Sequence, residues 1–166
     1  LVGDRIEAAA LEGGIYVTLR LTAGMYHRFH APHDLVVEQV RYIAGDCWNV
    51  NPPALKRIAG LYCRNERAPI TARLACDGAT IVLVPVAAVL VASIRLPWHD
   101  AMHGVRAGGA RADVVTHRFA KGEEMGWFEH GSTIVVLAPH RWSPIRGLHE
   151  GQMIRMGEAL LRKQAG

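Results

Sequence analysis

The chain has 166 residues, half of them hydrophobic and a fifth charged. That is enough for one domain with a sizeable core, and it excludes a disordered tail or a low-complexity scaffold. Nineteen Lys and Arg against fifteen Asp and Glu leave a net charge of +4, a mild excess that suits an anionic surface, while 7% aromatics and no Lys/Arg block argue against a dedicated nucleic-acid binder. Cys47, Cys63 and Cys76 are odd in number and widely spaced, which argues against a disulfide framework or a thiolate zinc site and for a reducing compartment. At the start of the chain Asp4, Arg5 and Glu7 interrupt the apolar residues, so no signal-peptide pattern forms.

Strand signals dominate in chain order. Ile15 to Leu21 alternates apolar and polar residues, as a half-buried strand does, and Leu35 to Ile43 continues in that style up to a turn at Gly45 and Asp46. Asn51-Pro52-Pro53 breaks the chain before one or two helical turns over Ala54 to Leu61. Ala68 to Cys76 reads as a strand closed by the hairpin signal Asp77-Gly78. The run Ala79 to Ile94 is shorter than the roughly 20 apolar residues of a spanning helix. It is rich in Val and Ile and split by Pro85, which predicts two adjoining buried strands. His99 to Ala112, with Gly104, Gly108 and Gly109, reads as an irregular excursion. Ile134 to Leu137 is a short apolar strand, and Arg141 to Leu148 is irregular. Glu150 to Leu161 is either a strand pair around Gly157 or a terminal helix. These signals predict one mainly β (α+β) domain over residues 1–166: an antiparallel sandwich or barrel-like fold with few short helices.

Two stretches carry chemistry-bearing residues. In Tyr26-His27-Arg28-Phe29-His30-Ala31-Pro32-His33-Asp34, three histidines recur every third residue. Imidazoles so spaced share a helix face and suit a metal, but on a strand they point to opposite faces, and Pro32 disrupts a helix begun earlier. Solvated histidines, a catalytic pair and a metal site all stay open on spacing alone. The second stretch runs from Lys121 to Phe128 (KGEEMGWF) and on to His130-Gly131-Ser132-Thr133. It places Ser132, one of only three serines, at the mouth of an apolar strand, and an ordinary turn is the alternative there.

Taken together, these residues resemble the phosphatidylserine decarboxylase proenzyme family. Tyr26 to Pro32 is similar to its Y-H-R-x-H-x-P signature. Val50-Asn51-Pro52 and Asn65-Glu66-Arg67 are similar to the N-P and N-E-R elements that follow. Val86 to Ile94 resembles V-G-A-x-x-V-G-S-I, and Lys121 to Phe128 resembles K-G-x-E-M-G-x-F leading into the G-S-T of Gly131 to Thr133. The resemblance implies self-cleavage between 131 and 132, giving a 1–131 β chain and a 132–166 α chain. Ser132 Oγ would attack the Gly131 carbonyl, and Ser132 would become a covalent pyruvoyl group, the electron sink of the decarboxylation. It further implies that His30, oriented by an aspartate, is the base for Ser132, and that His27 assists decarboxylation and delivers a proton. No metal is implied. The implied substrate is phosphatidylserine, the product phosphatidylethanolamine. The implied setting is peripheral, on an anionic membrane surface at the cytoplasmic side of a bacterial inner membrane, with a homodimer as the common state. An unprocessed β domain of the same family that binds phospholipid or a partner is the alternative.

Three departures stand beside the resemblance. Ala87 and Ala92 replace family glycines, and His130 stands where leucine or glycine is usual. The family's aspartate element precedes Y-H-R-x-H, and neither Asp4 nor Asp34 matches it, so the chain is expected to enter partway into a longer proenzyme.

Overall fold

Runs of Val, Ile and Thr favour extended backbone wherever a neighbouring strand can cover them. The computed structural model describes residues 1–22, 24–88, 94–99, 111–129 and 131–164, and it is mainly β. A short helix α1 (Arg5–Ala10) precedes β1 (Ile15–Leu21), β2 (Arg28–His30) and β3 (Leu35–Tyr42). Helices α2 (Pro52–Arg57) and α3 (Leu61–Arg64) lead to β4 (Ile70–Leu74), β5 (Thr80–Val86) and β6 (Ile94–Arg95). Then come β7 (Arg111–Phe119), β8 (Glu124–Phe128), β9 (Ser132–Ala138), β10 (Trp142–Pro144) and β11 (Leu161–Lys163).

Among the described residues the strands pair antiparallel in three sheets: a six-stranded one in the order β1-β9-β5-β4-β3-β7, a three-stranded one β2-β8-β6, and the pair β10-β11. Side-chain alternation assigns the faces. On β9, Ile134, Val136 and Ala138 join the main core, whereas Val135 packs with Val82, Val84, Val86 and Val2 on the other face. The main core also takes Phe29, Ile94, Met125 and Phe128 from the three-stranded sheet, so the two sheets face each other across it as a sandwich. This matches the expected fold class, and among the described residues neither sheet closes into a barrel.

β5 is buried from Ile81 to Val86 because both its faces are covered, which explains its unbroken apolar sequence. The expected break at Pro85 does not occur. Pro85 lies within β5 opposite Ile134, and its carbonyl still accepts the Ala68 N–H at 3.0 Å, so only a donor is lost. Residues 89–93 of that run, and 100–110 of the expected excursion, lie outside the described residues.

Other boundaries differ for local reasons. α2 starts at Pro52, earlier than expected, because Asn51 Oδ1 caps the Ala54 N–H at 2.9 Å and proline suits the first helical turn. β7 occupies Arg111 and Ala112, read above as irregular, and runs on to Phe119. Its inner face includes Asp113 and His117, which weakens the apolar alternation that marks a strand. α1, also unforeseen, is capped by Asp4, which accepts the Ile6 and Glu7 N–H groups. The tail forms neither a helix nor a strand pair around Gly157. Instead β11 returns to β10, inside the stretch read as irregular, with Trp142 opposite Lys163.

Candidate active site

Ser132 opens β9, the second strand of the large sheet, between the end of β1 and the end of β5. Leu21 lies opposite Ser132, and Thr133 lies opposite both Arg20 and Val86. Ser132 is 1% exposed and its Oγ donates to the Val86 carbonyl. Thr133, fully buried, turns to the opposite face. There the Tyr62 phenol interacts with its hydroxyl, too loosely for a standard hydrogen bond. Burial pushes the Tyr62 phenol up, against the opposing pull of Thr133 and the Arg20 cation.

The two stretches singled out in the sequence meet as neighbouring strands. β2 pairs with β8, Arg28 opposite Trp127 and Phe29 opposite Gly126, and the His27 carbonyl accepts the Phe128 N–H at 2.9 Å. Gly126 has to be glycine, since a Cβ there would run into the Arg95 carbonyl and the Phe29 ring. The Arg28 guanidinium binds both oxygens of Glu124, at 2.5 and 2.7 Å, and lies 5.4 Å over the Trp127 ring.

His27 Nε2 donates to the carbonyl of Thr22 at 2.9 Å. Thr22 directly follows Leu21, the partner of Ser132, so this bond ties His27 to the strand end beside the serine. With Nε2 as donor, Nδ1 is the basic nitrogen of the neutral ring. His30 is held on both sides. Its Nδ1 faces the Gly122 carbonyl at 2.8 Å, which only an N–H can satisfy, so Nε2 is the acceptor for the Tyr26 hydroxyl at 2.7 Å. The Tyr26 ring stacks on the imidazole with centroids 5.7 Å apart. Gly122, at φ 83°, makes the turn that aims this carbonyl, and Asp34 Oδ1 steadies the same turn by accepting the Lys121 N–H at 2.7 Å. His33 Nδ1 reaches the Asp34 carbonyl at 3.3 Å. Among the described residues no three His, Cys, Asp or Glu side chains gather as a metal-binding group.

Ser132 thus meets Val86, and the tether of His27 ends one residue beyond Ser132's partner on β1. The hydrogen bonds of His30 go to Tyr26 and Gly122, and His130 lies outside the described residues. The Asn65-Glu66-Arg67 element lies alongside the end of β5. Asn65 is fully buried; its amide donates to the carbonyls of Trp48 and Ala87, both at 2.8 Å, and its Oδ1 accepts the Trp48 N–H. Arg67 donates to the carbonyls of Leu1, Cys63 and Asn65 at 2.7 to 3.0 Å, and burial holds its guanidinium below the usual arginine value. Sequence reading gave no role to Tyr26, Gly122, Tyr62 or Glu66. Tyr26, Gly122 and Glu66 stand within the motif elements quoted above, whereas Tyr62 carries no such signal.

The fold and site define a β-sandwich with a buried serine at the start of a central strand, one histidine on β2 of the facing sheet and a second directly ahead of β2. The family model described as phosphatidylserine decarboxylase matches residues 1–162, and the chain belongs to that family. Phosphatidylserine decarboxylase proenzymes similar to it include that of Albidiferax ferrireducens, 36% identical over 97% of this chain and 57% of the relative. Those of Dechloromonas aromatica (36%; 95% and 57%) and Brevibacillus brevis (31%; 99% and 60%) are also similar. The chain therefore spans somewhat over half the length of these relatives. No helix among the described residues is long and apolar enough to cross a membrane.

Proposed function

We propose that this chain carries the self-processing serine and the proton-transfer histidines of a pyruvoyl-dependent phosphatidylserine decarboxylase, which forms phosphatidylethanolamine and carbon dioxide. The observation that carries this reading is the setting of Ser132, buried at the first residue of β9 and directly after Gly131. Attack of Ser132 Oγ on the Gly131 carbonyl forms an ester as the C–N bond breaks, and the Oγ proton passes to the nitrogen. Elimination frees the Gly131 carboxylate, and addition of water with loss of ammonia leaves the pyruvoyl group. The chain after the cut is fixed by pairing with β1 and β5 on both sides, which suits residue 132 to be a held prosthetic group. When present, that group supplies the electron sink for loss of carbon dioxide.

His30 is the proposed base for Ser132. The Gly122 carbonyl leaves Nε2 as its basic atom, and to act His30 exchanges the Tyr26 hydroxyl for that of Ser132. His27, tethered through Nε2, keeps Nδ1 to carry the proton of the decarboxylation. The net charge of +4 supports peripheral attachment to an anionic lipid surface at the cytoplasmic face. The test uses the full-length precursor with phosphatidylserine vesicles, following carbon dioxide and phosphatidylethanolamine. His27→Ala is expected to leave cleavage intact while lowering turnover by about 100-fold or more. Undiminished turnover in His27→Ala, or turnover by Ser132→Ala, contradicts the reading.

A further inference from the structure

Glu66 takes no part in the chemistry assigned above, yet its setting is unusual. It is 6% exposed, its Oε1 is buried without a hydrogen bond, and no ion pair among the described residues includes it. The adjacent Arg67 gives its hydrogen bonds to backbone carbonyls instead. A carboxyl oxygen buried without a hydrogen bond is costly and persists where something else requires it.

The sheet register places this carboxyl in the row of Ser132. Arg67 lies opposite Val86, and the Ala87 N–H donates to the Glu66 carbonyl at 2.8 Å, so Glu66 stands opposite Ala87. Val86 lies opposite Thr133, and one further step of the same register sets Ala87 opposite Ser132. Directly opposed residues share a face, and Glu66, Ala87 and Ser132 share the face that Ala68, Leu83 and Ile134 give to the main core. Two strand spacings, about 10 Å in all, separate Glu66 from Ser132. The side chain between them in the row is the single methyl of Ala87.

We propose that Glu66 is the counter-ion for the ammonium created at residue 132 when the Gly131–Ser132 bond breaks, an inference that rests on Ser132 being the self-processing residue. Before the cut the nitrogen is a neutral amide. After Oγ bonds to the Gly131 carbon and the C–N bond breaks, the nitrogen holds the Oγ proton as an amine and takes one more from solvent. That cation gives the orphaned Oε1 a partner. The pairing draws the unfavourable exchange of amide for ester toward the ester, and so feeds the elimination that follows.

The test compares Glu66→Gln, which keeps the shape, with Glu66→Asp, which keeps the charge, in the full-length precursor. Chain cleavage is followed by intact mass, with folding checked by thermal melt. Hydroxylamine reports on the ester directly, because its nitrogen attacks the Gly131 carbonyl, leaving a hydroxamate and a free Ser132 hydroxyl. Glu66→Gln is expected to cleave about tenfold more slowly or worse, with less hydroxylamine-trapped product. Glu66→Asp is expected to stay within about threefold of the natural chain. Cleavage of Glu66→Gln at the natural rate overturns the inference, as does a loss in Glu66→Asp as large as that in Glu66→Gln. Either result leaves the self-processing reading intact provided Ser132→Ala remains uncut. Cleavage of Ser132→Ala at the same bond overturns that reading instead.

Discussion

Ser132, His27 and His30 are each held by a backbone carbonyl, of Val86, Thr22 and Gly122 respectively. Carbonyls accept only, so each bond fixes where the proton of its side chain sits. For His30 the consequence is specific: Nε2 is basic and Tyr26 occupies it. Tyr26→Phe removes that competitor without altering the Gly122 bond. Self-cleavage of the Tyr26→Phe precursor is therefore expected to be at least as fast as in the natural chain, followed by gel densitometry over time. A slowing of about tenfold or more would mean that the Tyr26 hydroxyl takes part in the proton transfer itself. The residues that bear reactive groups were legible in the sequence, since their types and order are written there. Their tethers were not, because Thr22, Gly122 and Val86 contribute backbone oxygens that every residue has.

At the level of elements, the alternation of β1 and the continuous run of β5 announced strands, and Asp77-Gly78 announced the turn that joins β4 to β5. β7 escaped because Asp113 and His117 face inward where apolar residues are expected. β11 escaped because three residues carry no period, and only the strand they pair with makes them visible. The β4–β5 turn also carries a pH dependence. Asp77 accepts the Ala79 N–H at 2.9 Å and pairs with Lys163 Nζ on β11 at 3.0 Å. The backbone bond foremost, then the lysine, outweigh burial and hold its carboxyl below the ordinary value of 3.8. A carboxyl lowered on folding contributes stability above its ordinary value, and that contribution fades as pH falls through the lower, folded value. Lys163 is well exposed, so solvent screening keeps the contribution under about 1 kcal/mol. Urea melts from about pH 6 down to about pH 2.5 should show a steeper acid loss in the natural chain than in Asp77→Asn, which lacks the titrating group. Parallel acid limbs would remove Asp77 from this role.

Across the whole molecule, the sequence elements that lie far apart along the chain become two neighbouring sets. The stretches around His27 and around Met125 form the three-stranded sheet, while N-E-R, the end of β5 and G-S-T lie side by side in the large one. The shared core of Phe29, Ile94, Met125 and Phe128 with Val37, Ile70 and Leu83 locks the two sheets face to face. His30 and Ser132 therefore lie on strands whose sheets share one packed core, with His27 directly ahead of β2. Composition and pattern made the sandwich readable; the row that joins Glu66 to Ser132 depends on strand order, which local sequence does not encode. The most direct measurement is the intact mass of the purified full-length protein beside its Ser132→Ala variant. The account predicts two chains for the natural protein, one ending at Gly131 and one starting at residue 132 and lighter by an ammonia than a serine terminus would make it, with the variant uncut. A natural protein that remains one chain with an intact Ser132, indistinguishable in processing from the variant, would contradict it.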